Sequence, residues 1–309
     1  MAKRDEYTCI RCQTSTDAVN GTQRYSQLLC RDCFGKAQDN RPKELNDLSG
    51  REWASFSRSV EEYPDTRSMK QRDHGACFPV SLAAQHIRMF TKAGEVVFDP
   101  FVGVGTTMDA ARSLGRKGIG IDLNPKFIQI AQEDLLGTNG DFRLICDDAR
   151  NMAMYLEPES VDFVLTSPPY SNLLKSVKGA FAYKWREHSR LDPIINPTPY
   201  TSSKNDLGNM TYDEFCEAIT QVMALCRNVL KPGGYSAWVV KDFRKLKENI
   251  PYVNLHNDVI TCAERGGLTL WDIRIYDQTR FRPLVCLGYP SKKFYLNIGH
   301  SYILIFRKI

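Results

Sequence analysis

The sequence predicts an α/β protein with a doubly wound, Rossmann-like sheet and a small cysteine-bearing module at its N-terminus. Three observations carry this expectation. Residues 96–98 form an apolar run that enters a glycine turn, Gly103 and Gly105, and then a helical stretch at 108–114. That order of strand, tight turn and helix is half of a nucleotide-binding βαβ unit. Residues 118–122 then read as the next parallel strand, and residues 144–150 as a third strand with its terminal loop. Upstream of all this stand two Cys-x2-Cys pairs, Cys9/Cys12 and Cys30/Cys33, with a short polar insert between them.

Composition agrees with a folded enzyme-sized chain. Its 309 residues suffice for one large α/β domain and a small accessory module, and its 42% hydrophobic content is ordinary for a globular protein. No apolar run is long enough to cross a membrane. The first residues, Met1 to Glu6, have no apolar core and do not read as a signal peptide. With 41 basic and 36 acidic residues the net charge is +5, which permits a nucleic-acid partner without demanding one. Ten cysteines without an export signal point to a reducing, cytoplasmic setting.

The N-terminal module is expected to span residues 1–40. Each Cys-x2-Cys pair makes a turn that presents two thiolates to one ion. Two such turns complete a tetrahedral structural zinc site from Cys9, Cys12, Cys30 and Cys33. Sulfur would fill all four positions, leaving none open for catalysis. The polar stretch 38–43 reads as the linker. The remaining cysteines, Cys77, Cys146, Cys216, Cys226, Cys262 and Cys286, lie among apolar residues and read as small buried hydrophobes.

From residue 81 to 91 the spacing of Leu82, Ile87 and Phe90 predicts an amphipathic helix. The glycine turn follows, with Thr106 or Thr107 placed to cap its helix. A third glycine is missing at the helix start, so this is not a dinucleotide fingerprint. No Gly-Lys-Ser/Thr occurs either, which argues against a phosphate-cradling loop. Asp122 ends its strand as an acid able to accept from two ribose hydroxyls.

Residues 161–165 read as a buried strand that stops at Thr166-Ser167-Pro168-Pro169-Tyr170. Two prolines cannot donate to a sheet ladder. The resulting rigid turn offers a hydroxyl, backbone carbonyls and an aromatic ring. It can accept hydrogen bonds from an exocyclic amino group and stack on a flat ring, which points to a nucleobase. Residues 171–210 are irregular, with Lys175, Lys178, Lys184 and Arg186 interleaved with Phe181, Tyr183 and Trp185. Basic side chains suit phosphates and aromatic rings suit bases, so this insert reads as a nucleic-acid contact region. A helix at 212–230 follows, closed by Lys231-Pro232-Gly233-Gly234, and strands are expected at 235–240, 268–276 and 301–307.

Ser167-Pro168-Pro169-Tyr170 resembles the catalytic motif of the DNA amino-methyltransferases. Asp99-Pro100-Phe101-Val102-Gly103-Val104-Gly105-Thr106 resembles their cofactor loop. The stretch His74 to Pro79 resembles the segment before that loop in the β-type enzymes, where it walls the methionine end of the cofactor pocket. His74 itself is given no chemical role. The glycine loop precedes the catalytic motif here, so the β-type wording stands in a permuted, γ-like order. The specific motifs lie between residues 74 and 170, and the likeness runs from about residue 45 to the end.

The resemblance implies a class I S-adenosylmethionine-dependent methyltransferase domain over residues 41–309 that methylates duplex DNA in a restriction-modification setting. It implies cofactor contacts from Phe78, Asp99, Phe101, Gly103, Gly105, Thr106, Asp122 and Asp148, with Asp147 competing with Asp148 for the adenine amino group. Ser167, Pro168, Pro169 and Tyr170 would hold a flipped base, and Lys175, Lys178, Lys184, Trp185 and Arg186 would contact DNA. Serine ahead of Pro-Pro leans toward cytosine N4 over adenine N6. A 5-methylcytosine enzyme would need a Pro-Cys pair, which the sequence lacks. An RNA or tRNA base methyltransferase, and a non-catalytic nucleic-acid-binding protein on the same fold, are the competing readings.

Overall fold

A computed structural model of the chain describes residues 4–19, 22–34, 44–64, 77–137, 140–169, 201, 203–282, 284 and 286–309. It divides into two compact units, Met1–Ser57 and Arg58–Ile309.

In the first unit, β1 (Arg4–Thr8) and β2 (Ser15–Val19) pair antiparallel, with Thr8 opposite Ser15. The tight connection between them carries Cys9 and Cys12. The short helix α1 (Gln23–Ser26) is capped by Thr22. Helix α2 (Gly50–Phe56) opens on a capping box in which Ser49 and Glu52 satisfy each other's backbone N–H groups.

The second unit is one eight-stranded sheet flanked by helices. Its strands are β3 (Val60–Glu62), β4 (Val96–Asp99), β5 (Lys117–Asp122), β6 (Phe142–Cys146), β7 (Val161–Thr166), β8 (Leu230–Val240), β11 (Thr269–Asp277) and β12 (His300–Arg307). They lie in the order β3-β11-β12-β8-β7-β4-β5-β6. Strands β4 to β8 pair parallel, and β12 runs antiparallel to both β8 and β11. A two-stranded ribbon, β9 (Phe243–Lys245) and β10 (Ile250–Val253), follows β8.

The helices of this unit are α3 (Val80–Phe90), α4 (Thr106–Ser113), α5 (Pro125–Leu135), α6 (Tyr212–Val229) and α7 (Leu255–Arg265). The central strands are near-continuous apolar runs because helices cover both faces, as a parallel sheet requires. Val161, Phe163, Val164 and Leu165 of β7 are fully buried. Helix α6 presents Phe215, Ile219, Val222, Met223 and Cys226 to the same core as Trp238 of β8. In β5, a Cβ at Gly120 would lie 2.7 Å from Val102, so the glycine lets the loop after β4 pack directly on the strand.

The strand order reverses between β4 and β7. Crevices outside the carboxyl ends of the strands at such a switch point are where open α/β sheets bind ligands.

Two expectations are corrected. Strand β8 begins at Leu230 rather than Tyr235, because the ladder to β7 absorbs the Pro-Gly-Gly stretch through a register shift between Val161 and Phe163. Cys146 and Cys286 are exposed, and Cys77 and Cys216 are half-buried, so only Cys226 and Cys262 are buried among the six. Cys146 sits on β6, which has no neighbouring strand on one flank among the described residues. No helix among the described residues is long and apolar enough to cross a membrane.

Candidate active site

The parallel strands β4, β5, β6 and β7 end along one edge, and the loops that leave them share a cleft. Phe101 enters it from the loop after β4, Asp122 from the end of β5, Asp148 from the loop after β6, and Ser167, Pro168 and Pro169 from the turn after β7. Four sequence-separated motifs therefore meet at the switch point.

Asp99 organises this edge from behind. It is 2% exposed. Its Oδ1 accepts from Thr166 Oγ1 at 2.6 Å and from the Phe101 N–H at 3.0 Å, and its Oδ2 accepts from Thr107 Oγ1 at 2.6 Å. One carboxyl thus ties the end of β4 to the end of β7 and the start of α4. Burial pushes its pKa up to about 6, against the lowering effect of those hydrogen bonds.

The glycine turn supports the cleft through Asp122. The Gly103 N–H donates to Asp122 Oδ2 at 2.9 Å, and the Asn124 N–H donates to Oδ1 at 2.8 Å. Burial raises the Asp122 pKa to about 6, with smaller contributions from the charges of Asp99 and Asp206. Gly105 precedes α4 with φ +90°, a left-handed conformation, and a Cβ there would lie 3.0 Å from the Ala131 methyl. Asp99, Gly103, Gly105 and buried Thr106 do not line the cleft; they shape it. Phe78 is buried ahead of α3 and does not line it either.

Asp148 and Asp147 separate clearly. Asp148 lines the cleft, caps the short helical turn after it through the Arg150 N–H, and forms a two-pronged pair with the Arg150 guanidinium at 3.0 and 2.6 Å. This pairing holds the Arg150 pKa above its ordinary value. Asp147 is engaged elsewhere, accepting from Asn151 Nδ2 and Tyr155 Oη, which lowers its pKa.

One wall was missed in the sequence. Thr201, Asn205, Asp206 and Leu207 also line the cleft. Asp206 is buried, and its carboxylate accepts from the Thr201 N–H and hydroxyl and from the Gly208 N–H. Asn209 Nδ2 donates to the carbonyls of Thr201 and Ser203, and Arg150 reaches the Asn205 carbonyl at 3.3 Å. The signal was present as a run of Ser, Asn, Asp and Gly, the residues that close local side-chain-to-backbone turns. Thr201 and residues 205–207 accordingly form part of the pocket wall within the stretch read as a contact insert. Tyr170, Lys175, Lys178, Lys184, Trp185 and Arg186 lie outside the described residues, as does His74.

Chemically, the cleft offers carboxylate acceptors, an aromatic face from Phe101 and a half-buried hydroxyl from Ser167 on a proline-stiffened turn. Phe101 is itself propped edge-on by Trp238, centroids 6.3 Å apart. Such a set suits a ligand that presents hydroxyls, amines or positive charge. In the N-terminal unit the sulfur atoms of Cys9, Cys12, Cys30 and Cys33 all lie within 4.8 Å of one another. Zn–S bonds of about 2.3 Å in a tetrahedron require sulfurs roughly 3.8 Å apart, and Cys12 and Cys30 stand at 3.6 Å.

A family model described as DNA methylase matches residues 11–133 and 161–309. The Type II methyltransferase M.BglI of Bacillus subtilis is 43% identical over 93 residues, covering 30% of this chain and 26% of that one. The orphan methyltransferase M.BamHII of Bacillus amyloliquefaciens is 44% identical over 62 residues, 20% of this chain and 23% of that one. The Type II methyltransferase M2.DpnII of Streptococcus pneumoniae is 35% identical over 100 residues, 31% and 35% of the two chains. The matches thus span about a quarter to a third of the length of these relatives.

Proposed function

This chain belongs to the DNA methylase family, and from that premise we propose that it transfers a methyl group from S-adenosylmethionine to an exocyclic amino group of a DNA base, cytosine N4 favoured. The observation that carries this reading is the meeting of Asp122, Asp148 and Ser167-Pro168-Pro169 in one cleft.

The residues present fit the cofactor. Asp122, fixed by two backbone N–H groups, keeps lone pairs for the ribose hydroxyls, Phe101 gives a flat apolar wall, and Asp148 is the acceptor for an adenine amino group. When bound, S-adenosylmethionine would supply an electrophilic methyl on a positively charged sulfur and would depart as neutral S-adenosylhomocysteine, the methylated amino nitrogen giving up one proton to water. The Ser167 hydroxyl and the Pro168 carbonyl accept from the target amino group and turn its nitrogen lone pair toward the methyl. Tyr170 stacks on the base. The target is a base swung out of the duplex, since its amino group is otherwise committed to pairing. Rate enhancement then comes from positioning and from acceptors placed where positive charge grows on nitrogen.

Cytosine is favoured because Ser167 supplies an uncharged acceptor before Pro-Pro, as the N4-cytosine enzymes do. The four N-terminal cysteines are assigned to a structural zinc ion, with every coordination position taken by sulfur. We propose residues 1–40 as the zinc module and residues 41–309 as the catalytic domain; the compact units themselves divide between Ser57 and Arg58, so residues 44–57 pack with the N-terminal unit.

The test is methyl transfer from labelled S-adenosylmethionine to mixed-sequence duplex DNA and, in parallel, to RNA. Label on DNA is expected. Label on RNA alone would move the chain to a different substrate class.

A further inference from the structure

The loop between β11 and β12, residues 278–299, takes no part in the chemistry above. It leaves the sheet along the same edge as the Ser167 turn. Asp277 at the end of β11 stands opposite His300 at the start of β12, Tyr302 of β12 pairs with Val240 of β8, and Trp238 of β8 pairs with Thr166 of β7. The loop roots are two and three strands from β7, roughly 10 to 15 Å along the edge. That is close to the width of a DNA major groove, about 12 Å.

The described residues of this loop are held in shape. Arg244, from the β9–β10 ribbon, donates to the Leu296 carbonyl at 2.7 Å and the Pro251 carbonyl at 3.3 Å, with its guanidinium 5.2 Å from the Tyr252 ring and 5.5 Å from the Tyr295 ring. Leu287 and Tyr295 bridge antiparallel, and the Ser291 N–H closes a turn on the Gly288 carbonyl at 2.8 Å. Gly288 has φ +82°, and a Cβ there would meet the Lys293 carbonyl at 2.1 Å. At the other root, Lys241 and Arg282 both donate to Gln278 Oε1, at 2.9 and 2.8 Å.

The turn presents Tyr289 at 74% exposure and Phe294 at 61%, beside exposed Lys292 and Lys293. Residues 278–299 include Arg280, Arg282, Lys292 and Lys293, and no Asp or Glu. Arg280 is paired with Glu62 at 3.2 Å, so the loop's exposed charge is that of Lys292 and Lys293, beside the exposed rings; rings and lysines on one built turn match a polyanion with apolar surfaces in its grooves.

We propose that the 278–299 loop is a duplex-contacting element, with Lys292 and Lys293 on the phosphate backbone and Tyr289 and Phe294 in the groove beside the target base. This rests on the reading of the chain as a DNA methyltransferase. It places a DNA contact on the far side of β8, in addition to the 171–210 insert.

Two variants of the full chain test it: Lys292→Gln with Lys293→Gln, and Tyr289→Ser with Phe294→Ser. Duplex DNA affinity is measured between 50 and 200 mM salt, alongside S-adenosylmethionine affinity and melting temperature. The lysine pair is expected to weaken DNA binding about tenfold and to reduce the slope of log affinity against log salt by about 2. The aromatic pair should weaken binding about tenfold with the slope kept. Cofactor affinity should be unchanged in both. Should the aromatic pair lower the melting temperature, the lysine pair decides. Wild-type affinity and slope in the lysine pair would overturn the loop assignment alone. Failure of the unaltered chain to bind duplex DNA would overturn the functional reading and the loop with it.

Discussion

Thr166 donates its hydroxyl to Asp99 at 2.6 Å, joining the strand that ends in the Ser167 turn to the strand that ends in the glycine loop. The two halves of the proposed site, cofactor side and target side, would therefore share one buried carboxyl. Asp99 also accepts from Thr107 and the Phe101 N–H. Asp99→Ala would leave two hydroxyls and one N–H without their acceptor. The expected loss is about 3 kcal/mol of stability, since each buried unsatisfied donor costs about 1–3 kcal/mol. Asp99→Asn, which keeps an acceptor, should lose less. Urea unfolding of both variants checks this, and equal losses would contradict the hydrogen-bond account.

Asp122 gives a pH dependence with a definite sign. Its pKa rises from 3.8 to about 6 in the folded chain, chiefly through burial. The native state then binds its proton more tightly than the unfolded state. Its contribution is fully present below the unfolded value and is lost as pH rises through about 6. Without cofactor, the stability of the wild-type chain relative to Asp122→Asn should fall between pH 4.5 and 7.5. A difference that is flat over that window would show Asp122 to be solvated like an ordinary surface carboxylate.

Ser167 is half-buried at the cleft and follows the fully buried Thr166. Ser167→Ala should reduce kcat by about 10²-fold, the scale for removing one group that stabilises transition-state charge. Cofactor affinity should stay within twofold, because Asp122 and Asp148 are untouched. Tyr170→Ala should behave in the same way. Cofactor titration by calorimetry and steady-state kinetics separate the two effects; a parallel loss of cofactor binding would mean that the turn belongs to the cofactor site.

The four cysteines predict one zinc ion per chain by elemental analysis of protein purified without chelator. Cys30→Ser should remove it and expose the remaining thiols to alkylation, while cofactor affinity at the sheet edge is kept. Protein that carries no zinc and whose four thiols alkylate freely would contradict the assignment.

Much of this site was legible because its elements announce themselves locally. The apolar runs ending at Asp99, Asp122 and Thr166 are central strands buried on both faces, so their composition alone marks them. Other elements were hidden. Helix α7 buries Leu255, Val259, Cys262 and Ala263, but polar residues between them dilute the pattern. Helix α5 has a start signal in Asn124-Pro125 but buries only Ile128 and Ala131, too few apolar positions to set a period. The role of Asp99 was not legible either: its partners Thr107 and Thr166 are 8 and 67 residues away, and only the folded sheet brings them to one carboxyl. Asp206 was missed for a related reason, since a turn that closes on itself has no period.

The most direct test of the central claim is mass analysis of nucleosides from duplex DNA methylated by the unaltered chain. The geometry of Asp122, Asp148 and Ser167 in one cleft predicts a methyl on an exocyclic amino nitrogen, with N4-methylcytosine as the expected product. N6-methyladenine would keep the mechanism and change the base. A methyl on ring carbon, as in 5-methylcytosine, would contradict the account, because no amino acceptor site is needed for that chemistry.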